Sequence, residues 1–409
     1  MKKIFLSILM TSIVFAGEGS IYSRYGIGEI NTFVSGKNIG MGNTGIATFG
    51  ETHINLLNPA STMNIAHTVL SVSYQFKNFS SEDHSGTSAF NTGNINSFAA
   101  AFPIYSPKKM VLTLGIVPFS SVAYQQQSSE IKYGTTIDQI TEGRGGITSG
   151  QLSLSYAVNP DISLGLTTHY LFGSIYKDQK VNFNSADFYN GSYNQTTSLS
   201  GVALTLGGIY SGIDKAFGLS DTKEVNAGFT FFSGSALDDD NILLRNYSTH
   251  QDTVTANNQT INLPIGFSFG LAYIKNKTVY ATDVHFQNWD NFKVAGVHPA
   301  EIQNSIQLAA GVEFLPQSEF IGDEFLKRLS YRFGGYYRTT NLKLNGESIN
   351  EIFGSAGMSF PMSIETRMHL ALEYGIRGTT SSSLIKDSLL RFTVSVSASE
   401  LMFIQPEIE

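Results

Sequence analysis

The chain has 409 residues, 42% of them hydrophobic and 14% charged, with no cysteine and a formal net charge of -7. A mean hydropathy of -0.03 argues against a bundle of transmembrane helices, and the missing cysteines exclude disulfides, thiolate metal sites and a lipid-anchored cysteine. Net acidity disfavours nucleic acid as a partner, because that ligand selects basic patches.

In chain order, Lys2 and Lys3 precede an apolar run over 4–16 that ends in Val14, Phe15 and Ala16. The run is too short to span a bilayer, and its charged start and small-residue end predict a cleaved secretory signal over 1–16. Residues 17–66 are rich in glycine and asparagine and show little alternation. Within them Gly40, Gly42 and Gly45 fit the spacing of a dinucleotide-binding loop, but Ile39 alone is no strand and no helix pattern follows. Glycines permit close backbone approach and Pro59 fixes its φ, so this segment reads as a compact plug.

From 67 to 400 the chain alternates. Fourteen segments carry apolar residues on one face: Leu70/Val72/Tyr74/Phe76, Phe98/Ala100/Phe102, Leu112/Leu114/Ile116, Leu152/Leu154/Tyr156, Leu164/Leu166/Tyr170 and Val202/Leu204/Leu206 begin the series. It continues with Ala227/Phe229/Phe231, Phe267/Phe269/Leu271, Tyr280/Val284/Phe286, Ile306/Leu308/Ala310, Phe333/Tyr337, Ala356/Met358/Phe360, Leu370/Leu372/Tyr374 and Leu390/Phe392/Val394. Charged residues inside the segments take the opposite parity: His169, Asp283, His285, Glu313, Arg332, Arg338, Arg367, His369, Glu373 and Arg391. In a membrane barrel an Arg or Lys at mid-depth on the lipid face costs roughly 2–4 kcal/mol, whereas the lumen solvates it. That parity separates a membrane barrel from a soluble sandwich or adhesin. Tyr105, Tyr124, Tyr156, Tyr176, Tyr210, Tyr273, Trp289 and Tyr374 fall near segment ends, where an interfacial girdle is expected.

The connections give the orientation. Tight turns at Asn159-Pro160-Asp161, Lys275-Asn276-Lys277 and Pro361-Met362-Ser363 alternate with long polar stretches over 125–148, 177–197 and 234–259. Short turns are periplasmic in bacterial barrels, so both chain termini are expected on the periplasmic side, with 401–409 as a tail. The fold class is therefore all-β, a transmembrane antiparallel barrel of fourteen strands (67–400) with an N-terminal hatch (17–66) filling a lumen too wide for side chains alone.

No constellation supports an enzyme or a resident cofactor. The histidines lack metal-ligand spacing, and His369 with Glu373 reads as part of a lumen charge network in which the arginines pair with Asp283, Glu313, Glu373 and hatch carboxylates. The acidic triplet 238–240 reads as a solvated outer loop, not a divalent-cation site.

The glycine-rich lead-in, Asn58-Pro59-Ala60, Pro118-Phe119 at the end of the third strand, Leu263-Pro264 before Gly270-Leu271-Ala272-Tyr273, and Asp283 followed by Trp289 together resemble the FadL-type outer-membrane transport family. Tyr22-Ser23-Arg24-Tyr25-Gly26 resembles a variant of Bacteroidetes-type members. The resemblance implies a monomeric outer-membrane channel for passive uptake of long-chain fatty acids or aromatic hydrocarbons. In it Asn58, Pro59 and Ala60 form the gate-contacting loop of the hatch, and a kink at Pro118 and Phe119 releases ligand sideways into membrane lipid. Proline cannot donate to a sheet ladder, which agrees with a break there. The alternative is a structural or shuttle component of a protein-secretion apparatus on the same scaffold, for which a lumen lining poor in large aliphatics speaks.

Overall fold

A computed structural model describes residues 19–32, 35–84, 86–132, 134–185, 188–218, 224–247, 250–318, 323–363 and 366–400. The expected signal (1–16) and tail (401–409) lie outside them. In chain order the strands are β1 (Glu29–Ile30), β2 (Thr68–Glu82), β3 (Thr87–Tyr105), β4 (Met110–Lys132), β5 (Thr135–Ala157), β6 (Ile162–Phe183), β7 (Gly191–Ser211), β8 (Val225–Phe232) and β9 (Ser235–Tyr247). They continue with β10 (His250–Leu263), β11 (Gly266–Lys275), β12 (Thr278–Gln287), β13 (Lys293–Val294), β14 (Ser305–Phe314), β15 (Ser330–Leu344), β16 (Glu347–Pro361), β17 (Thr366–Gly378) and β18 (Lys386–Glu400). Two single-turn helices, α1 (Gly36–Ile39) and α2 (Ile213–Ala216), complete the set used below.

Fourteen of these strands form a closed antiparallel barrel, and β1, β9, β10 and β13 are additions to it. Closure is made by β18 on β2, whose register runs unbroken from Lys386↔Glu82 to Glu400↔Thr68. A closed ladder satisfies every backbone group between neighbours, which a bilayer demands. The outward side chains are the apolar set of the alternation: Leu70, Phe98, Leu114, Leu152, Leu204, Phe269, Leu308, Phe333, Leu372 and Phe392 are all exposed around the circumference. Inward residues at the same levels are polar and buried, among them Ser153, Thr167, Gln307 and Thr393. No described helix is long and apolar enough to cross a membrane.

The long polar stretches are not loops. Strands β4 to β7 continue past the apolar belt, with β4 and β5 paired out to Lys132↔Thr135, and β9 and β10 extend that sheet by pairing with β7 and with each other. Outside the bilayer both faces of a strand meet water, so the hydrophobic period vanishes while the ladder persists. Most turns on the other end are tight, the longer β7–β8 and β14–β15 connections excepted; at Asn276 and Lys277 both residues take positive φ, as a two-residue hairpin requires.

Residues 19–32 and 35–66 run down the lumen. Ser20 donates to Asp387 and Tyr22 to the carbonyl of Ile385, both at the long-loop end of β18. The described residues nearest the N-terminus thus sit at the opposite mouth from Glu400, where the expectation had both ends on the short-turn side. The outer half of the lumen is packed by Tyr22, Ile27, Trp289, Phe292, Leu342 and Ile349. Trp289, expected in the interfacial girdle, is only 1% exposed and belongs to this inner cluster.

Candidate functional site

The hatch is seated backbone to backbone. Gly42 has φ +68, and a Cβ there would lie 2.3 Å from the nitrogen of Gly335 on β15. Glycine alone permits both the conformation and the approach. Gly40 lies against Gly357 of β16 in the same way, and Gly45 against the side chain of Asn38. The Gly40–Gly45 spacing is thus a packing device. Asp283, on β12, accepts from the backbone nitrogens of Gly45 (2.6 Å) and Ile46 (3.0 Å). The sequence paired Asp283 with an arginine; its partner is instead the hatch backbone, because the hatch descends along β12 between the carboxylate and the cationic strands.

Asn58 is fully buried and cross-links three elements. Its amide donates to the carbonyls of Ile46 (2.7 Å), Gly208 on β7 (3.3 Å) and Phe229 on β8 (3.4 Å), while its oxygen accepts from the Ala60 nitrogen (3.0 Å). Pro59 lies against Gly165 on β6, where a Cβ would stand 2.4 Å from the Pro59 carbonyl carbon. The Asn58-Pro59-Ala60 triplet therefore docks on β6 and β7. The resemblance set it against the kinked strand; in this chain a different part of the hatch meets that strand.

That part is β1. The β3–β4 ladder ends at Phe98↔Ile116, although both strands run on. Each strand bulges where they part: Asn96 is the extra residue between Ser97 and Ile95 on β3, and Phe119 the extra residue between Pro118 and Ser120 on β4. A bulge bends its strand and shifts the inside-outside alternation by one. Beyond it Ser120, Val122 and Tyr124 face the lumen, so Tyr124, expected in the girdle, is 3% exposed. The edge that β3 leaves unpaired is taken by the hatch: Glu29↔Ser121 and Ile30↔Ser120 pair antiparallel, and the nitrogen of Asn31 donates to the carbonyl of Phe119 (3.0 Å).

The lumen charges form two clusters. Glu313 takes Arg332 (2.7 Å) and Lys37 of α1 (3.0 Å), and Arg332 also donates to Ser359 (2.5 Å), which bonds His369. Higher up, Arg338 pairs with Glu351 (2.6 Å), Glu351 with Arg377 (2.5 Å), and Arg377 with Glu29 of β1 (2.6 Å). Arg391 stands 3.6 Å from Glu29 and lies over the Phe353 ring at 4.4 Å. Glu373 is buried beside it, and its Oε1 has no hydrogen-bond partner among the described residues. Arg367 lies at the short-turn end, opposite Pro361. At the outer mouth, burial and then the nearby Asp387 carboxylate push the Tyr22 phenol up to about 12, so it remains a donor at every physiological pH.

Glu29, Lys37, Glu351 and Arg377 were missed in the sequence. Carrying the lumen parity into the outer halves of β16 and β17 finds Glu351 and Arg377; nothing local marks Glu29 or Lys37.

Two cavities flank the segment 29–32. One, of about 170 Å³, is bounded by Ile30, Ile46 and Leu56 of the hatch, Phe119 of β4, and the polar inner faces of β6 to β8, β11, β12 and β14 to β17, Arg338 and Glu351 included. The other, of about 40 Å³, is charged, lined by Lys77, Glu373, Arg391 and Asn96.

A family model described as BamG matches residues 1–409. The chain belongs to the BamG family. No curated protein matches it. Solved structures similar to this BamG-family chain include the CymD monoaromatic hydrocarbon channel, at 14% identity over 91% of this chain and 98% of that one, with a TM-score of 0.60. A Pseudomonas aeruginosa FadL homologue matches at 12% identity over 91% and 99% (TM-score 0.63), and the Ralstonia pickettii toluene transporter TbuX at 11% over 88% and 97% (TM-score 0.58). At such identities the likeness establishes the fold: this BamG-family member has the FadL-type barrel.

Proposed function

We propose that the protein is an outer-membrane conduit for hydrophobic compounds, which pass between the 170 Å³ cavity and the surrounding lipid through the β3–β4 parting. The observation that carries this reading is the ladder that stops at Phe98↔Ile116 at the level of the apolar belt, with a cavity directly behind the hatch strand that fills the break. An open edge facing lipid leaves polar groups unpaired, a cost sustained where a path is needed. Proteins similar in fold include a monoaromatic hydrocarbon channel and a toluene transporter, which supports this reading. Asn58, Pro59 and Ala60 act in this reading as the anchor about which 29–32 moves, and Pro118 and Phe119 as the hinge of the parting.

The test is a reversible lock. The chain has no cysteine, so Ile30→Cys with Ser120→Cys places one pair across β1 and β4. In proteoliposomes, passage of a hydrophobic tracer should fall at least tenfold on oxidation and recover on reduction. Equal passage in both states would rule out this route.

The second reading, a scaffold in a protein-secretion apparatus, draws on the apolar cluster that fills the outer lumen and on the sheet of β4 to β7, β9 and β10 that stands beyond the belt. Co-purification of the tagged protein with an exported partner, and no tracer passage in either redox state, would favour it.

A further inference from the structure

The cavity behind β1 is two-faced. Its hatch side presents Ile30, Ile46 and Leu56 beside the polar segment 29–32, and its wall side carries polar and charged groups, of which two are left over. His285 on β12 and Gln307 on β14 are register partners on neighbouring strands, side by side on the inner face. Nδ1 of His285 is bonded to the Ser268 hydroxyl (2.9 Å), while its Nε2 has no hydrogen-bond partner among the described residues. Gln307 is 4% exposed, and its Nε2 has none either. Both atoms are closed off from the cavity that their residues line, so a ligand reaches them by turning the two side chains, and two adjacent buried polar atoms without partners are costly enough to favour that.

Resting on the reading of this cavity as the ligand's place, we propose that it selects a compact hydrophobe carrying a hydroxyl group, of the phenol or aromatic-alcohol class, over the bare hydrocarbon. Size sets the first limit: a cavity of about 170 Å³ compares with the ~150 Å³ apolar cavity that takes one benzene ring, and is too small for an extended long chain. Chemistry sets the second. We take the tautomer in which His285 Nδ1–H donates to Ser268, which makes Nε2 an acceptor, and the Gln307 amide is a donor. A hydroxyl serves both at once, giving its proton to His285 and accepting from Gln307, with its ring against Ile30, Ile46 and Phe119. An ether oxygen serves Gln307 alone, and a hydrocarbon serves neither. A site with polar groups waiting for a hydroxyl discriminates strongly against the analogue that lacks it.

The experiment measures equilibrium binding of p-cresol, 4-methylanisole and toluene to the purified full-length barrel in detergent. Wild type is expected to bind p-cresol at least tenfold more tightly than toluene, with the ether between. Gln307→Leu, close in volume, should reduce the cresol-to-toluene ratio to below threefold while toluene binding holds or improves, which shows the variant is folded. His285→Phe should remove the cresol-to-ether difference. Equal binding of p-cresol and toluene by wild type would overturn the proposal and leave the conduit reading standing. Binding of none of the three would remove both.

Discussion

Asp283 and Asn58 hold the hatch by the same means, a short buried side chain that satisfies backbone groups of a segment with no ladder of its own. Removing the carboxylate in Asp283→Ala leaves two buried N–H groups without an acceptor, at roughly 1–3 kcal/mol each. Limited proteolysis should then cut within 40–60 while the barrel keeps its heat-dependent migration; cleavage unchanged from wild type would show that Asp283 does not fix the hatch. Asn58→Ala should act in the same direction, since it frees the carbonyls of Ile46 and Gly208 together. Parity in the sequence placed Asp283 and Glu313 in the lumen, because charge and lipid do not mix. It did not supply their partners, since Gly45 lies 238 positions from Asp283 and only the closed barrel brings them together.

At the scale of elements, the decisive feature is one extra residue. Phe119 has no opposite number on β5, and from there the inward positions of β4 switch from odd to even. Deleting Phe119 should remove the bulge, straighten β4 at the parting and weaken the β1–β4 pairing, while Ser120, Val122 and Tyr124 still face the lumen. Hydrogen exchange at Ile30 and Asn31 would report it, rising at least tenfold; unchanged protection would show that β1 is held from elsewhere, for example by Glu29 on Arg377. Pro118→Val is expected to do far less, because it restores a donor but leaves the bulge. Pro118 was legible as a break in the sequence, since a residue without an N–H cannot continue a ladder on both sides. The bulge beside it was not, and for that reason Tyr124 was assigned to the wrong face. The outer extensions of β4 to β7 were equally hidden, because outside lipid nothing in the apolar pattern distinguishes a paired strand from a polar loop.

For the whole molecule, the fourteen-strand count and the lumen plug followed from alternation and from the width of such a lumen, both of which are set by the bilayer. The cavity beside the plug did not, because its walls come from the hatch and ten different strands. Closure by β18 on β2 is continuous over fifteen residue pairs. Unheated protein in dodecyl sulfate should therefore migrate ahead of the boiled sample, and Asp283→Ala and Gln307→Leu should leave that shift intact; its absence would mean that the seam, not the hatch, had been damaged.

The position of Tyr22 at one mouth and of Thr68 at the other has a consequence for biogenesis. The chain crosses the lumen from end to end before it enters its first wall strand, and that strand meets the last one made. A finished cylinder offers no simple way to thread fifty residues through itself against glycine-tight walls. The seam must therefore zip around a segment already laid in place, so that sealing the wall and stoppering the bore are one event. The earliest part of the chain then acts as the mandrel on which the last strand closes.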